Sequence, residues 1–360
     1  MNSKNIDLTI TQLEKKEFKD LISSKLVIQL TGKDANVVMA NTLRRTSFDD
    51  IATYAFCNES INIEYNDTIF NSDYMRLRLS QIPIFNIEND VYFLPLKYWK
   101  KINYADPKRE KHPDEKVIQM YISSHNDTTE IMNVTTNHIK FYQDTMEIPN
   151  KYDSKYPILL VQLRPNETFK CQMKAVLGVG ERNNIWAASS TAFYDELETN
   201  KINFTIESQG QMDEYEILVK ACKIIQLKLE TLKSDIQKKL TEGQIKPSQD
   251  IEIDFDGEDH TMGSLITYSL QDHPNITYAG VSKPDHLIKQ IKIKMISTDD
   301  TTSALDPFFE VLDHLKQIYG ILENKIYQLG KKHIKLKEVE QITVTPKKKI
   351  NKKTSKKTKG

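Results

Sequence analysis

The chain says one thing twice, and that repetition limits its possible folds more than any other feature. Residues 28–51 read IQLTGKDANVVMANTLRRTSFDDI and residues 251–270 read IEIDFDGEDHTMGSLITYSL. At the start of the first stretch, Ile28 and Leu30, with Val27 just before them, stand among polar Gln29 and Thr31, the pattern of a half-buried strand. Gly32-Lys33-Asp34 supplies a turn, and Asp34 is expected to cap a helix carrying Val38, Met39, Leu43, Arg44 and Arg45. Sliding the first stretch so that Ile28 falls on Ile253 brings Leu30 onto Phe255, Gly32 onto Gly257 and Asp34 onto Asp259. A chain built from one unit used twice is expected to fold both halves alike and to pack them together.

Two apolar seams extend the repeat. Leu218, Cys222, Ile225, Leu229, Leu232, Ile236 and Leu240 advance by steps of four and three, alternating as far as Ile236, a helical stripe with a period of about 3.5. Leu305, Phe308, Leu312, Leu315, Tyr319, Leu322, Ile326 and Leu329 make a second stripe with the same spacing. The polar stretch 241–250, TEGQIKPSQD, separates the first seam from the second copy, in which residues 290–296 read as a further strand. Either the two seams face one another, or each is the inner face of an independent domain.

The distance from Asp34 to Leu218 far exceeds that from Asp259 to Leu305, so the first half carries a long insertion between the same two landmarks. Residues 86–165 fit that role, with short β-like runs at 91–96, 116–123 and 138–142 between clusters of Asn, Asp, Pro and Lys. Around it, residues 1–24 lead in as a strand or short helix, 60–65 alternate as a strand, and 74–85 read as a helix closing at Pro83. Residues 168–176, 188–194 and 201–207 read as strands, the first two joined by GVGERNNIW.

At 360 residues, with 39% apolar and 28% charged side chains, the chain has length for two or three domains with their own cores. Fifty basic side chains balance fifty acidic ones, so the molecule as a whole has no bulk attraction for nucleic acid. The excess is local: residues 346–360 hold eight lysines and no acid or aromatic group, which reads as a solubilising end, an address or a phosphate-binding arm. Cys57, Cys171 and Cys222 are scattered and odd in number, pointing to reduced, buried thiols in a cytosolic or nuclear compartment. The first residues lack a signal-peptide core, and no run approaches the roughly 18 apolar residues of a membrane span.

A convergent catalytic set is missing. The eight histidines stand singly, no C-x-x-C is present, and Glu258-Asp259 fits a turn and helix cap as well as a catalytic pair. Gly178-Val-Gly180 lacks the third glycine of a dinucleotide fingerprint. Arg44 and Arg45 point about 100° apart on a helix, so both cannot lie against a core. They form either a solvated face or a surface that grips a partner, with Arg76 and Arg78 able to extend it.

These stretches resemble a known family. NTLRR at 41–45 resembles the N-x-L-R-R helix of the α-type subunits of multisubunit DNA-dependent RNA polymerases, and RLSQIPI at 78–84 resembles their R-L-G-L-I-P motif with Ser80 at the glycine. GVGERNNIW at 178–186 is similar to the G-x-x-x-x-H-A-K-W segment of the larger α-like subunit, with Asn183 at the histidine. EDHTMGSL at 258–265 and PNITYAG at 274–280 resemble the E-D-H-T-L-G-N-L and P-x-V-x-F-A-G runs of the smaller one. Having both types in one chain is a feature of polymerases from large cytoplasmic DNA viruses of the African swine fever virus type, which this chain resembles.

The resemblance implies an α+β fold of two repeated dimerisation domains forming an intramolecular pseudo-dimer. The larger-subunit-like domain would comprise 1–58 and 168–240, interrupted by an inserted subdomain at 59–167. A linker at 241–250, the smaller-subunit-like domain at 251–333 and a basic tail at 334–360 would follow. It implies a non-catalytic assembly platform whose seam residues Leu218, Cys222, Ile225, Leu229, Leu232, Leu305, Phe308, Leu312, Leu315, Tyr319 and Leu322 join the halves. Asn41, Leu43, Arg44, Arg45, Arg78 and Trp186 would face other subunits. The partners implied are the second-largest and largest subunits and a small tenth-subunit-like protein. DNA would be met only through the complex, with no membrane and no homo-oligomer, in host cytoplasm and virion. The family's Mg²⁺ site lies in the two largest subunits, and 86–165 contain no cysteine, so no catalytic residue, cofactor or metal is expected here. The competing reading from another class is a stand-alone adaptor or nucleic-acid-binding protein that uses its basic tail as an arm.

Overall fold

The computed structural model describes residues 6–334 except 19–22, 86, 88–90, 92, 107–108, 110, 151 and 300–302. The first half opens with β1 (Thr9–Phe18) and β2 (Ser23–Thr31), paired antiparallel, and α1 (Val37–Asp49). The insertion contributes β3 (Ala52–Ala55), β4 (Ile61–Asn66), α2 (Ser72–Ser80), α3 (Leu96–Lys101), β5 (Ile118–His125) and β6 (Met132–Thr135). It continues through β7 (Ile139–Gln143), β8 (Met146–Ile148), β9 (Leu159–Leu163) and β10 (Thr168–Val179). The first half then resumes with β11 (Ser189–Glu198), β12 (Lys201–Ser208) and α4 (Glu214–Thr241). The second half is β13 (Asp250–Asp256), α5 (His260–Gln271), β14 (Ile276–Ser282), β15 (Gln290–Ser297) and α6 (Leu305–Gly330).

The repeat is visible in the sheets. The first half orders its strands β1-β2-β12-β11 and the second β13-β15-β14, so β2, β12 and β11 correspond to β13, β15 and β14, with β1 as an added edge. Both turns that follow the leading strand place a glycine in the left-handed region, Gly32 at φ 118° and Gly257 at φ 86°, where a side chain is strained. The helix caps differ. Asp259 caps α5, accepting from the His260 N–H at 2.7 Å, whereas Asn36 caps α1, accepting from the Met39 N–H at 2.8 Å. Asp34, expected in that role, instead accepts from the Asp7 N–H at 2.8 Å, because Ala35 and Asn36 extend the first turn before its helix begins.

One apolar cluster spans both halves. It joins Leu26, Ile28 and Leu30 of β2, Met39 and Leu43 of α1, the α4 stripe, Ile253, Leu265 and Ile293 of the second half, and the α6 stripe. Charged and polar pairs flank the contact between α4 and α6. Gln226 donates to Glu323 at 2.5 Å, Lys233 pairs with Asp313 at 2.6 Å, and Glu230 pairs with Lys316. Their numbers rise on one helix as they fall on the other, so the helices run antiparallel. Every α6 stripe position from Leu305 to Ile326 is buried, but Leu329 is 39% exposed, and at that level Gly330 faces α4, where a Cβ would stand 2.4 Å from Tyr215.

The insertion stands between α1 and β11, where the second half has only residues 272–275. Its own cluster runs from Ala52 to Val179, wider than the expected 59–167. The cause is strand pairing: β3 lies against the end of β10, with Ala55 opposite Val176 and Ala52 opposite Val179, which draws both flanks into the inserted sheet. Residues 93–95, expected within a strand, are irregular, and Pro95 introduces α3. The basic tail from 335 onward lies outside the described residues.

Candidate subunit interface

The outward face of α1 is built by helical spacing. Met39, Ala40, Leu43, Thr46 and Ser47 turn inward, leaving Asn41, Arg44, Arg45 and Asp49 on the other side. The Asn41 side-chain oxygen accepts from Arg44 Nε at 3.1 Å and Nη2 at 3.0 Å, and Arg45 pairs with Asp49 at 3.2 Å. The guanidiniums are thus held in place along one surface while Arg45 stays open to solvent.

Beside Arg45 the two halves and the insertion meet around a cavity of about 270 Å³. Arg45, Asp49 and Asp50 come from the first repeat, Phe93 and Trp99 from the insertion, Lys228 and Asp235 from α4, and Gly257 to Asp259 from the second turn. Lys228 Nζ lies 2.9 Å from Asp50 and 4.0 Å from Glu258, and Lys289 pairs with Glu181. Burial works against the charged Lys228, but Asp50 and Glu258 more than reverse it and hold the amine above its ordinary range. Burial also holds the Glu258 carboxyl above its ordinary range, with Asp50 and Glu181 adding to the effect and Lys228 and Lys289 opposing it. A network with too few cations for its buried carboxylates is a poor stabiliser of the isolated chain.

The profile of the RNA polymerase Rpb3/Rpb11 dimerisation domain matches residues 31–229 and again residues 250–325. The chain belongs to that family. Among its relatives, an Acanthamoeba polyphaga mimivirus protein named as a DNA-directed RNA polymerase subunit is 27% identical over 321 residues, 82% of this chain and 87% of that protein. The Rpo11 RNA polymerase subunit of Sulfolobus acidocaldarius is 36% identical over 70 residues, 19% of this chain and 77% of that protein. That of Sulfurisphaera tokodaii is 35% identical over 63 residues, 18% of this chain and 67% of that protein. The chain is an Rpb3/Rpb11-type polymerase subunit carrying two dimerisation domains, packed as an intramolecular pseudo-dimer with partnering surfaces for other polymerase subunits.

Three of the six residues expected at the Rpb3/Rpb11-type interface are used elsewhere. Leu43 is 0% exposed, because the position before Arg44 falls on the inward face of α1. Trp186 is buried, donating from Nε1 to the Val176 carbonyl at 3.0 Å, and a Cβ on Gly178 would stand 2.4 Å from its ring. That close approach accounts for Gly178 without a phosphate ligand. Arg78 donates to the Leu160 carbonyl at 2.8 Å and the Leu159 carbonyl at 3.0 Å, stitching α2 to β9. Asn41, Arg44 and Arg45 remain together on α1.

The seam positions all lie in the shared core, with Cys222 and Tyr319 fully enclosed. All three cysteines are free and buried, and burial pushes the Cys171 thiol up to about 12, so it stays protonated and unreactive at neutral pH. Among the described residues no group of three His, Cys, Asp or Glu can hold a metal ion, and no helix is long and apolar enough to cross a membrane.

Sequence reasoning missed an apolar patch. Tyr65, Ile69, Phe70, Tyr74 and Leu77 are each at least 38% exposed, with the Phe70 and Tyr74 rings stacked at 4.9 Å. Helical spacing held the signal: Met75 and Leu79 face inward one turn apart, which turns Tyr74 and Leu77 outward.

Proposed function

We propose that this chain is the non-catalytic assembly platform of a DNA-dependent RNA polymerase, combining both α-like subunits and docking the second-largest subunit on the outer face of α1. In this reading the first copy plays the larger subunit and the second the smaller. The repeat supplies its own dimerisation partner, so no homo-oligomer is needed. The largest subunit and a small tenth-subunit-like protein complete the contacts, and DNA is reached only through the complex. The mimivirus relative supports a viral origin for this polymerase, and host cytoplasm and virion are the locations this reading proposes for it.

The observation that carries this proposal is the pairing of α4 with α6 inside one chain while Asn41, Arg44 and Arg45 stay together on the outside. The Arg44 and Arg45 bonds are local to α1, and exposed pairs of that kind contribute little to folding. Changing both residues to Glu loses the Arg45–Asp49 pair and sets like charges one turn apart, so the chain should stay folded while losing about 1 kcal/mol of stability. The same variant should lose the second-largest subunit in affinity purification. Full recovery of that subunit would remove α1 from the interface. Deleting residues 346–360 should leave assembly intact; loss of DNA affinity without any polymerase subunit in the wild-type purification would favour the adaptor reading.

A further inference from the structure

Carboxylates outnumber cations around the junction cavity, where Asp49, Asp50, Glu181, Asp235, Asp256, Glu258 and Asp259 stand against Arg45, Lys228 and Lys289. Lys228 is committed to Asp50 at 2.9 Å, Arg45 to Asp49 at 3.2 Å, Lys283 to Asp259 at 3.2 Å, and Lys289 to Glu181. Glu258, with its side chain 15% exposed, has only Lys228 at 4.0 Å, and among the described residues it accepts no hydrogen bond. Leaving a largely desolvated carboxylate without a donor is costly, and folds keep such groups where a ligand completes them.

The lining narrows what that ligand is. At about 270 Å³ the space falls below the roughly 300–1,000 Å³ of small-molecule sites and suits a single side chain. Phe93 and Trp99 line it together with the carboxylate of Glu258 and those of Asp235 and Asp256, which Lys238 and Gln290 reach from outside. Aromatic side chains beside several carboxylates match a planar cation with a fork of donors better than a compact ammonium. A metal ion is disfavoured by the absence of a three-ligand group among the described residues.

We propose that the cavity receives the guanidinium of an arginine from the docked second-largest subunit, with Glu258 as its counter-charge. The assignment rests on the docking reading above and names the chemistry of its anchor. In the isolated chain Glu258 is an unserved acid beside Asp50, and in the complex it becomes one half of a buried charge pair. Function and stability then pull in opposite directions at this position.

Glu258→Gln keeps the shape and removes the charge. The test compares the full chain, the Glu258→Gln variant and the Arg44→Glu/Arg45→Glu variant for binding to the recombinant second-largest subunit, with the unfolding midpoint of each measured in parallel. The expected result is capture at least about tenfold weaker for Glu258→Gln, with a midpoint equal to or above wild type. A lowered midpoint accompanying the weaker capture would make Glu258 a structural residue and overturn the proposal. Unchanged capture by Glu258→Gln, with capture lost in the arginine variant, would overturn the arginine anchor alone. Unchanged capture by both variants would overturn the docking reading as well. Photocrosslinking from position 261, substituted with a benzoylphenylalanine, identifies the occupant. A crosslinked partner peptide containing arginine supports the proposal, and one without arginine overturns it.

Discussion

Tyr319→Ala should lower the stability of the paired repeats by about 3–5 kcal/mol, the range for emptying a fully buried aromatic site. Tyr319 is 0% exposed and lies on α6, yet its hydroxyl donates to the Met39 carbonyl of α1 at 3.2 Å. Burial, with Cys222 adding to it, holds that hydroxyl well above its ordinary range, so it is a donor at neutral pH. Removing the ring opens a void where α1, α4 and α6 share one cluster, and few neighbours can collapse into it because each is packed from another side. Tyr319→Phe isolates the hydroxyl and should cost only about 0.5–1.5 kcal/mol. The two tryptophans make the measurement selective, since Trp99 and Trp186 sit in the apolar clusters of the insertion and its edge. In urea, far-ultraviolet circular dichroism follows the long helices while tryptophan fluorescence follows the insertion. Tyr319→Ala should move the first midpoint much further than the second. A helical midpoint that stays in place would mean that the seam does not hold the halves together.

The seams were the most legible part of this molecule because a helical period needs no tertiary knowledge: Leu218 to Ile236 and Leu305 to Ile326 are buried where the spacing put them. The duplicated strand, turn and helix were legible for a related reason, as glycine at positive φ leaves a mark at Gly32 and Gly257 that few other residues can imitate. Where two readings competed for one residue, sequence could not decide. Spacing pointed to Asp34 as the cap of α1, but the turn runs on to Asn36, which caps the helix and frees Asp34 to bind the Asp7 backbone. Leu43 and Trp186 belong to recognisable motifs, but a motif records that a position matters without saying whether it packs inward or docks outward. The junction cavity was invisible for a deeper reason. Arg45, Trp99, Lys228 and Glu258 come from four separated stretches, and nothing in the spacing of any one of them points to the other three. Only the insertion's return to the end of α1 brings them together.

Lys15→Met should destabilise the first half by about 3–5 kcal/mol, as expected when one partner of a buried ion pair is removed and the other is left charged. Glu214, at the start of α4, has a side chain that is 0% exposed. It accepts from Ser24 Oγ at 2.5 Å and from the Ser208 N–H at 3.1 Å, and it pairs with Lys15, which also reaches Asp213 at 2.9 Å. One carboxylate thereby fastens β1, β2 and the end of β12 to the first turn of the long helix, where the helix dipole favours negative charge. Methionine fills the lysine's volume but supplies no cation, so the loss is electrostatic rather than steric. Burial by itself would lower the Lys15 amine, but its bonds to Glu214 and Asp213 outweigh that and raise it above 10.5. A raised amine contributes stability that is fully present below its unfolded value and is lost as pH climbs through the higher folded value. Wild type should therefore show an alkaline decline in its urea midpoint above pH 10.5 that Lys15→Met lacks in part, since Lys228 contributes its own decline in both proteins. The difference between the two curves should be flat from neutral pH to about that point and then narrow. Parallel curves throughout would show that Lys15 is not the cation on which Glu214 depends.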